Sequence, residues 1–344
     1  MSREERLAYI KKIEEFRKSR VITYITSDRP GLGTQIADDT TQLFYDILET
    51  MGHQERIDLY LYTRGGNTVA PLRIVRLIRE YCKSFNVLVP YRAHSAGTLI
   101  AIGGDSIIMG PLAELSPVDP STMNDFNPLN PTNPSQRIPI SVEDITAYLT
   151  LAEKQAKLTS EATRLEVFKG LTSQLNVIAL GNVQRVYSEI RAFTESLLRL
   201  SMTSEKERAQ IPKIIQSLTE SYTHDYLITR SEAKQLGLDV TFPKSELEKE
   251  MMGLLRVYER DLLLRDPFNP DVLLEGNEST EFSFETAYVE STEKTFAFIQ
   301  SGSIQRIGER IQLAAGGTRP VQPSNITQVA VRLIKQKWES LGGR

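Results

Sequence analysis

Four short segments of the chain hold residues whose types and spacing could do chemistry. In the first, Thr63-Arg64-Gly65-Gly66-Asn67, a glycine pair follows an apolar run. Paired glycines let a ligand approach the backbone and leave bare N–H groups. Donors of that kind, aimed at a developing alkoxide, form an oxyanion hole. The same residues also fit a plain tight turn between a strand and a helix. The second segment runs Tyr91-Arg92-Ala93-His94-Ser95-Ala96-Gly97-Thr98, with a serine at the expected start of a helix. A developing anion is favoured there. The Ala96 N–H could be a second oxyanion donor, and the small Ala96 and Gly97 would let substrate backbone come close. Serine at that place is also a common N-cap. The third, Leu112 to Pro120, sets Asp119 between Pro117 and Pro120, which restrain its backbone on both sides. That suits a carboxylate that must point one way, and an Asx-turn equally. The fourth, Tyr222 to Thr229, holds His224.

A serine nucleophile needs a base. The chain has 3 histidines. His53 follows Gly52 in a polar stretch and reads as surface. His94 abuts Ser95, and an adjacent side chain cannot easily swing onto Ser95 Oγ. His224 is then the imidazole base available from elsewhere in the chain. A lysine desolvated in an apolar site can also serve. Lys154 and Lys157 are the candidates, although on a mixed-charge helix they read as solvated. The 1 cysteine, Cys82, has no partner for an internal disulfide or a thiolate metal site. No metal and no cofactor is expected.

The elements that must position these residues alternate between two periods. Val21–Thr26, Ile57–Thr63, Phe85–Val89 and Ser106–Met109 are short apolar runs that read as strands. Residues 36–52, with Gly52 as C-cap, and Val69–Tyr81 have helical spacing. Ser95–Gly103 is small and apolar, as a buried helix would be. Regular alternation with near-continuous apolar strands implies βαβ units and a buried parallel sheet, an α/β fold. Residues 117–140 are rich in proline and asparagine and read as an irregular loop. A long helical stretch, 142–218, follows, with a break near 203–211. Its apolar positions exceed what one layer over a sheet needs, so a homo-oligomer is expected. Then come a short helix, 231–238, a charged amphipathic helix, 244–265, and a hairpin pair, 281–289 with 295–299. A loop at 316–325 leads to a final helix ending near Trp338.

The 344 residues suffice for one large or two ordinary domains. Hydrophobic residues make up 40% and charged residues 25%, ordinary values for a globular chain. A net charge of −3 gives no basic field to draw nucleic acid or anionic lipid. The charged N-terminal stretch lacks the apolar core of a signal peptide. No apolar run approaches the roughly 18 residues that span a bilayer. No membrane anchor and a cytoplasmic location are expected.

TRGGNTVAP, then VPYRAHSAGTLIAIGGDSIIMGPLAELSPVDP, then THDYLITRSEAKQLGLDV resemble, in this order, the Clp/crotonase superfamily. Within it they most resemble the serine dehydrogenase proteinase family, relatives of the Clp peptidase and signal-peptide peptidase A. The resemblance spans roughly residues 15–300. It implies a ββα spiral core with a parallel sheet, a helical elaboration and a C-terminal α+β extension. The expected organisation is an N-terminal helix at 1–20 and a core at 21–120. A proline- and asparagine-rich loop at 121–141, a helical region at 142–242 and the extension at 243–344 follow. It also implies a serine endopeptidase, independent of ATP, acting on unfolded or partly folded protein through an acyl-enzyme on Ser95. Gly66 and Ala96 fall on the oxyanion positions, and Gly65, Asn67 and Gly97 on substrate-binding ones. The family's chain order of Ser, Asp and His gives Ser95, Asp119 and His224. Relatives of signal-peptide peptidase A use a lysine instead. Here Gln136 and Arg137 occupy the approximate region, so Lys154 stays the alternative base. Two other functions compete: a crotonase-like acyl-CoA enzyme, with Glu114 the nearest acid/base, and a non-catalytic scaffold.

Overall fold

The computed structural model describes residues 2–118, 121–219, 226–312 and 324–341. Helix α1 (Ser2–Arg17) leads into strand β1 (Arg20–Thr26). Then come α2 (Thr40–Met51), β2 (Gln54–Tyr62), α3 (Ala70–Glu80) and β3 (Cys82–Val89). A two-residue β4 (Arg92–Ala93) precedes α4 (Ala96–Ile102), β5 (Ser106–Met109) and β6 (Glu114–Leu115). Four short strands follow: β7 (Ser121–Thr122), β8 (Leu129–Asn130), β9 (Asn133–Arg137) and β10 (Ile140–Ser141). The helical region holds α5 (Val142–Thr150) with a π-helical turn at Leu151–Gln155. It continues through α6 (Glu161–Gln174), α7 (Val177–Ser201), α8 (Glu205–Arg208) and α9 (Ile211–Thr219). The chain returns through β11 (Ile228–Thr229), α10 (Arg230–Leu236) and β12 (Val240–Thr241). It ends with α11 (Ser245–Asp261), α12 (Pro270–Leu274), β13 (Ser279–Glu290), β14 (Thr295–Gln312) and β15 (Ser324–Ser340).

One sheet organises the molecule, in the order β12-β5-β3-β2-β1-β13-β14-β15. The first five are parallel, and β13 to β15 continue the sheet antiparallel. Both faces of the parallel part are covered, which is why its strands read as unbroken apolar runs. Ile22, Tyr24, Leu59 and Leu61 face α2, α3 and α4, whereas Val21, Ile25 and Tyr60 face α1 and α11. The period of two along each strand divides the residues between the faces. Helix α3 buries Ala70, Ile74 and Ile78, one turn apart, against the first face. Each such isoleucine contributes about 1.5–3 kcal/mol. Ion pairs hold α1 beneath the sheet. Arg6 Nε lies 2.8 Å from Glu290 Oε2, and Arg17 Nε lies 2.7 Å from Asp58 Oδ2.

The structure differs from the expected elements in three places. The final helix is instead β15, a strand paired along β14. Val329, Val331 and Leu333 alternate with polar or small residues, so the period is two, and the β-branched residues favour the strand. The expected loop before it falls mainly on 313–323, outside the described residues. The long helical stretch breaks at more points than the one expected. Ser160 and Asn176 cap new helices at Thr163 N and Ile178 N. The proline-rich loop also contains paired strands, β7 with β10 and β8 with β9.

Candidate functional site

The carboxyl ends of parallel strands are where open α/β sheets hold ligands. Just past β2, Thr63 pairs with Ala93, and Thr63 N donates to Arg92 O at 2.9 Å. His94 N donates to Thr63 O at 3.1 Å. The glycine loop and the serine turn are therefore hydrogen-bonded as one unit. A Cβ on Gly65 would stand 2.8 Å from Ser95 Cβ and 3.3 Å from Ala96 N, so only glycine lets the two turns meet. Gly66 has φ 144°, and a Cβ there would collide with Ile36 O and lie 2.6 Å from Ile36 N. Ile36 clamps this loop: its N donates to Gly65 O, and Asn67 N donates to its O, both at 2.8 Å. Neither Gly66 N–H nor Ala96 N–H donates to a described residue.

Ser95 has φ 49° and ψ −111°, a left-handed conformation that costs an L residue about 1–3 kcal/mol. Its side chain caps nothing, which removes the reading as a plain N-cap. Ser95 is half-buried, and its Oγ has no hydrogen-bond partner among the described residues. The strain is held by the backbone around it. Ser95 N donates to Ser116 Oγ at 2.8 Å, and Thr98 Oγ1 donates to Ala93 O or Ser116 O at 2.9 and 2.8 Å. A strained serine between a strand and a helix, with a free hydroxyl, is the geometry of a nucleophile elbow.

The other predicted residues fall differently. Asp119 and His224 lie outside the described residues. Lys154 is exposed on the π-helical turn, with no hydrogen bond or ion pair to a described residue. Asn67 Oδ1 is committed to Val69 N and Ala70 N, at 2.8 and 3.0 Å, which starts α3. The space left by the Cβ that Gly97 lacks is filled by Thr63 Cγ2, 2.5 Å from that position, so Gly97 serves packing of α4 on β2. Glu114 is engaged by Arg92 Nε at 3.2 Å and by His94 Nε2 at 3.1 Å, and is not a free acid/base. Burial pushes the Cys82 thiol up to about 11, so it is protonated at neutral pH.

A polar network that sequence reasoning missed joins these turns. Asp28 Oδ2 accepts from Arg92 Nη1 at 2.6 Å and Arg64 Nε at 3.1 Å, and Asp28 Oδ1 from Tyr62 OH at 2.8 Å. One carboxylate thus ties the glycine loop to the serine turn, and Glu114 extends the tie to His94. Burial pushes the His94 imidazole below its ordinary value. Glu114 opposes that push, and Arg64 and Arg92 reinforce it. The signal was positional: Asp28, Arg64 and Arg92 each stand two or three residues past the end of a parallel strand.

Residues 1–169 match the family model of the ClpP-like SDH-type serine proteinases. Over that stretch, just under half of its length, the chain is similar to this family. The match to the ClpP-like serine proteinases takes in β1 to β6, the Ser95 turn and the glycine pair, and ends within α6. An uncharacterized protein of Methanocaldococcus jannaschii is 30% identical over 210 residues, 61% of this chain and 60% of that protein. A second uncharacterized protein of that organism is 27% identical over 265 residues, 75% of this chain and 78% of that protein. The chain therefore spans less than two thirds of the first of these relatives. Among solved structures, the chain is similar to 1510-N, a membrane-bound stomatin-specific protease. A lysine-to-alanine mutant of it with a substrate peptide is 17% identical, with a TM-score of 0.36 over 67% of this chain and 78% of that one. A serine-to-alanine mutant is 18% identical, with a TM-score of 0.38 over 67% and 85%. No helix among the described residues is long and apolar enough to cross a membrane.

Proposed function

We propose that this chain is a serine endopeptidase, independent of ATP and cytoplasmic, that cleaves unfolded or partly folded protein as a homo-oligomer. Ser95 Oγ attacks the scissile carbonyl, and the Gly66 and Ala96 N–H groups hold the oxyanion of the tetrahedral intermediate. His224 takes the proton of Ser95 and gives it to the amine that leaves as the C–N bond breaks, and Asp119 orients the ring. The acyl-enzyme on Ser95 is then hydrolysed by water, with the same imidazole as base.

The observation that carries this reading is the turn at Ser95. A serine held at positive φ, with its hydroxyl uncommitted and two N–H groups beside it that have no acceptor among the described residues, costs the fold energy that packing alone does not require. Support for the base comes from the chain around it. Val118 N, next to Asp119, donates to Leu218 O at 2.8 Å. Beyond His224, Ile228 pairs with Leu115. Both tethers flank Ser116, which accepts the Ser95 N–H. The Lys154 alternative lacks that support, because a lysine base needs a desolvated amine and Lys154 is exposed. The test is hydrolysis of casein or a peptide without added nucleotide. Ser95→Ala is expected to lower the rate by at least about 10³-fold while the protein stays folded. Undiminished hydrolysis by the purified variant would remove Ser95 from this role.

A further inference from the structure

Two arginines are among the buried described residues, and they are treated in opposite ways. Arg6, 1% exposed, is neutralised by Glu290 and Asp261. Arg29, 7% exposed, has no carboxylate within ion-pair distance among the described residues. Its Nε donates to Asp266 O at 2.7 Å, and its Nη1 is buried with no hydrogen-bond partner. The guanidinium lies 4.6 Å from the ring centroid of Phe284 and 5.8 Å from that of Phe268. Those faces favour the cation but accept none of its in-plane N–H groups. Burial pulls Arg29 below its ordinary value, the Asp266 carboxylate partly opposes that pull, and a guanidinium stays charged near neutral pH. A buried charge with no ion-pair partner within reach among the described residues is disfavoured, so its retention points to an anion that arrives later.

Arg29 lines an open groove of about 710 Å³. Arg64, Asn67 and Ile36 line it too, and these residues bracket the glycine pair. Phe298 and Gln300 of β14 form part of the groove wall. The loop that carries Arg29 is fixed at both ends. Ser27 N donates to Thr286 O and Thr34 N to Ser27 O, each at 2.8 Å, and Phe268 N donates to Pro30 O at 2.9 Å. Asp28, the acid among the described residues of the groove, is already committed to Arg64, Arg92 and Tyr62. A carboxylate entering the groove therefore meets the charge of Arg29, whose unused Nη1 lies just beneath the surface, and Arg64 at the rim.

We propose that this groove recognises a carboxylate of the peptide substrate, with Arg29 as its anchor. The proposal rests on the peptidase reading of Ser95 and names the substrate chemistry of that site. The carboxylate comes either from an internal Glu or Asp or from the peptide's C-terminus. Much of the Arg29 pocket is built by residues 266–300, beyond the 1–169 stretch that matches the family.

The test is fluorescence anisotropy on the full chain carrying Ser95→Ala, so that peptides bind without turnover. One arm uses amidated neutral peptides in which a single Gln is replaced by Glu at each position in turn. The other uses the same neutral peptide with a free C-terminal carboxylate. One of the carboxylate peptides is expected to bind at least about tenfold more tightly than its neutral counterpart. The arm that gains identifies the source. Adding Arg29→Gln should abolish the gain, so that carboxylate and neutral peptides bind alike. No gain in either arm, or a gain that survives Arg29→Gln, overturns the proposal. If Arg29→Gln does not fold, the paired Glu and Gln peptides on the parent protein decide the matter alone. Fluorophosphonate labelling of the wild type, run in parallel, separates the two readings. Absence of labelling at Ser95 removes the nucleophile and leaves the binding result standing.

Discussion

The turn at Ser95 and the helices at 142–178 stand at opposite extremes of packing. Around Ser95 every residue of α4 is buried, and the strained backbone is fixed by Ser116, Thr98 and Thr63. Helix α6 buries none of its residues and leaves Leu165 and Phe168 more than half exposed, at 52% and 55%. Val177 and Ile178 at the start of α7 are exposed as well. The first region is determined by its own chain. The second leaves apolar area exposed among the described residues, which in the proposed homo-oligomer a second copy would cover. A catalytic turn tolerates little play, whereas an assembly surface needs only shape and apolar area.

After Ser95 itself, the largest effect should come from the glycine loop. Gly66→Ala puts a methyl against Ile36 O at a φ that alanine rarely adopts. It should cost about 1–3 kcal/mol of stability, and misplacing the donor should lower hydrolysis by at least about 100-fold. Denaturant titration and initial rates measure both, and a stable, fully active variant would break the account of the loop. Next is Ser116→Ala, which leaves the Ser95 N–H without its acceptor. A loss of about 1–3 kcal/mol is expected, with a fall in the acylation rate. An unchanged rate would mean that the turn holds its shape without this tie.

A smaller effect follows from His94. Burial holds its folded pKa below the unfolded value of about 6.5. Between the two values the unfolded chain binds more protons, so stability falls as pH drops below about 6.5 and levels off below the folded value. His94→Gln should flatten that part of the curve. Thermal unfolding from about pH 7.5 to about pH 5, with and without the substitution, measures it; identical curves would contradict the assignment. The smallest effect on the fold belongs to α6. Phe168→Glu should change unfolding stability by no more than about 0.5 kcal/mol. Light scattering should show the wild type as a species larger than the 38.8 kDa monomer and the variant shifted towards that monomer. A wild type that is monomeric at micromolar concentration would remove the homo-oligomer from the proposal.

The strands of the parallel sheet were legible because burial on both faces writes itself into the sequence as unbroken apolar runs. The glycine pair and Ser95 were legible for the same reason that they are strained: few residue types fit such turns. The Asp28–Arg92–Glu114–His94 network was not. Its members lie up to 86 positions apart in the chain, and pairing between charged residues leaves no periodic mark. The strand β15 was misread because Lys335 and Lys337 in its second half resemble a charged helix face, while the alternation that decides it lies in 329–333. Arg29 gave no signal at all in sequence, since its isolation appears only once Asp266, Phe268 and Phe284 of β13 close around it.

The most direct measurement of the central claim is covalent. The wild-type protein is incubated with a fluorophosphonate probe, and the adduct is mapped by digestion and mass spectrometry. The proposal predicts one adduct on Ser95, absent from Ser95→Ala and lost when the wild type is unfolded first. Folded wild-type protein that takes up no probe, or takes it up at another serine, would contradict Ser95 as the nucleophile and return the fold to an acyl-CoA enzyme or a scaffold.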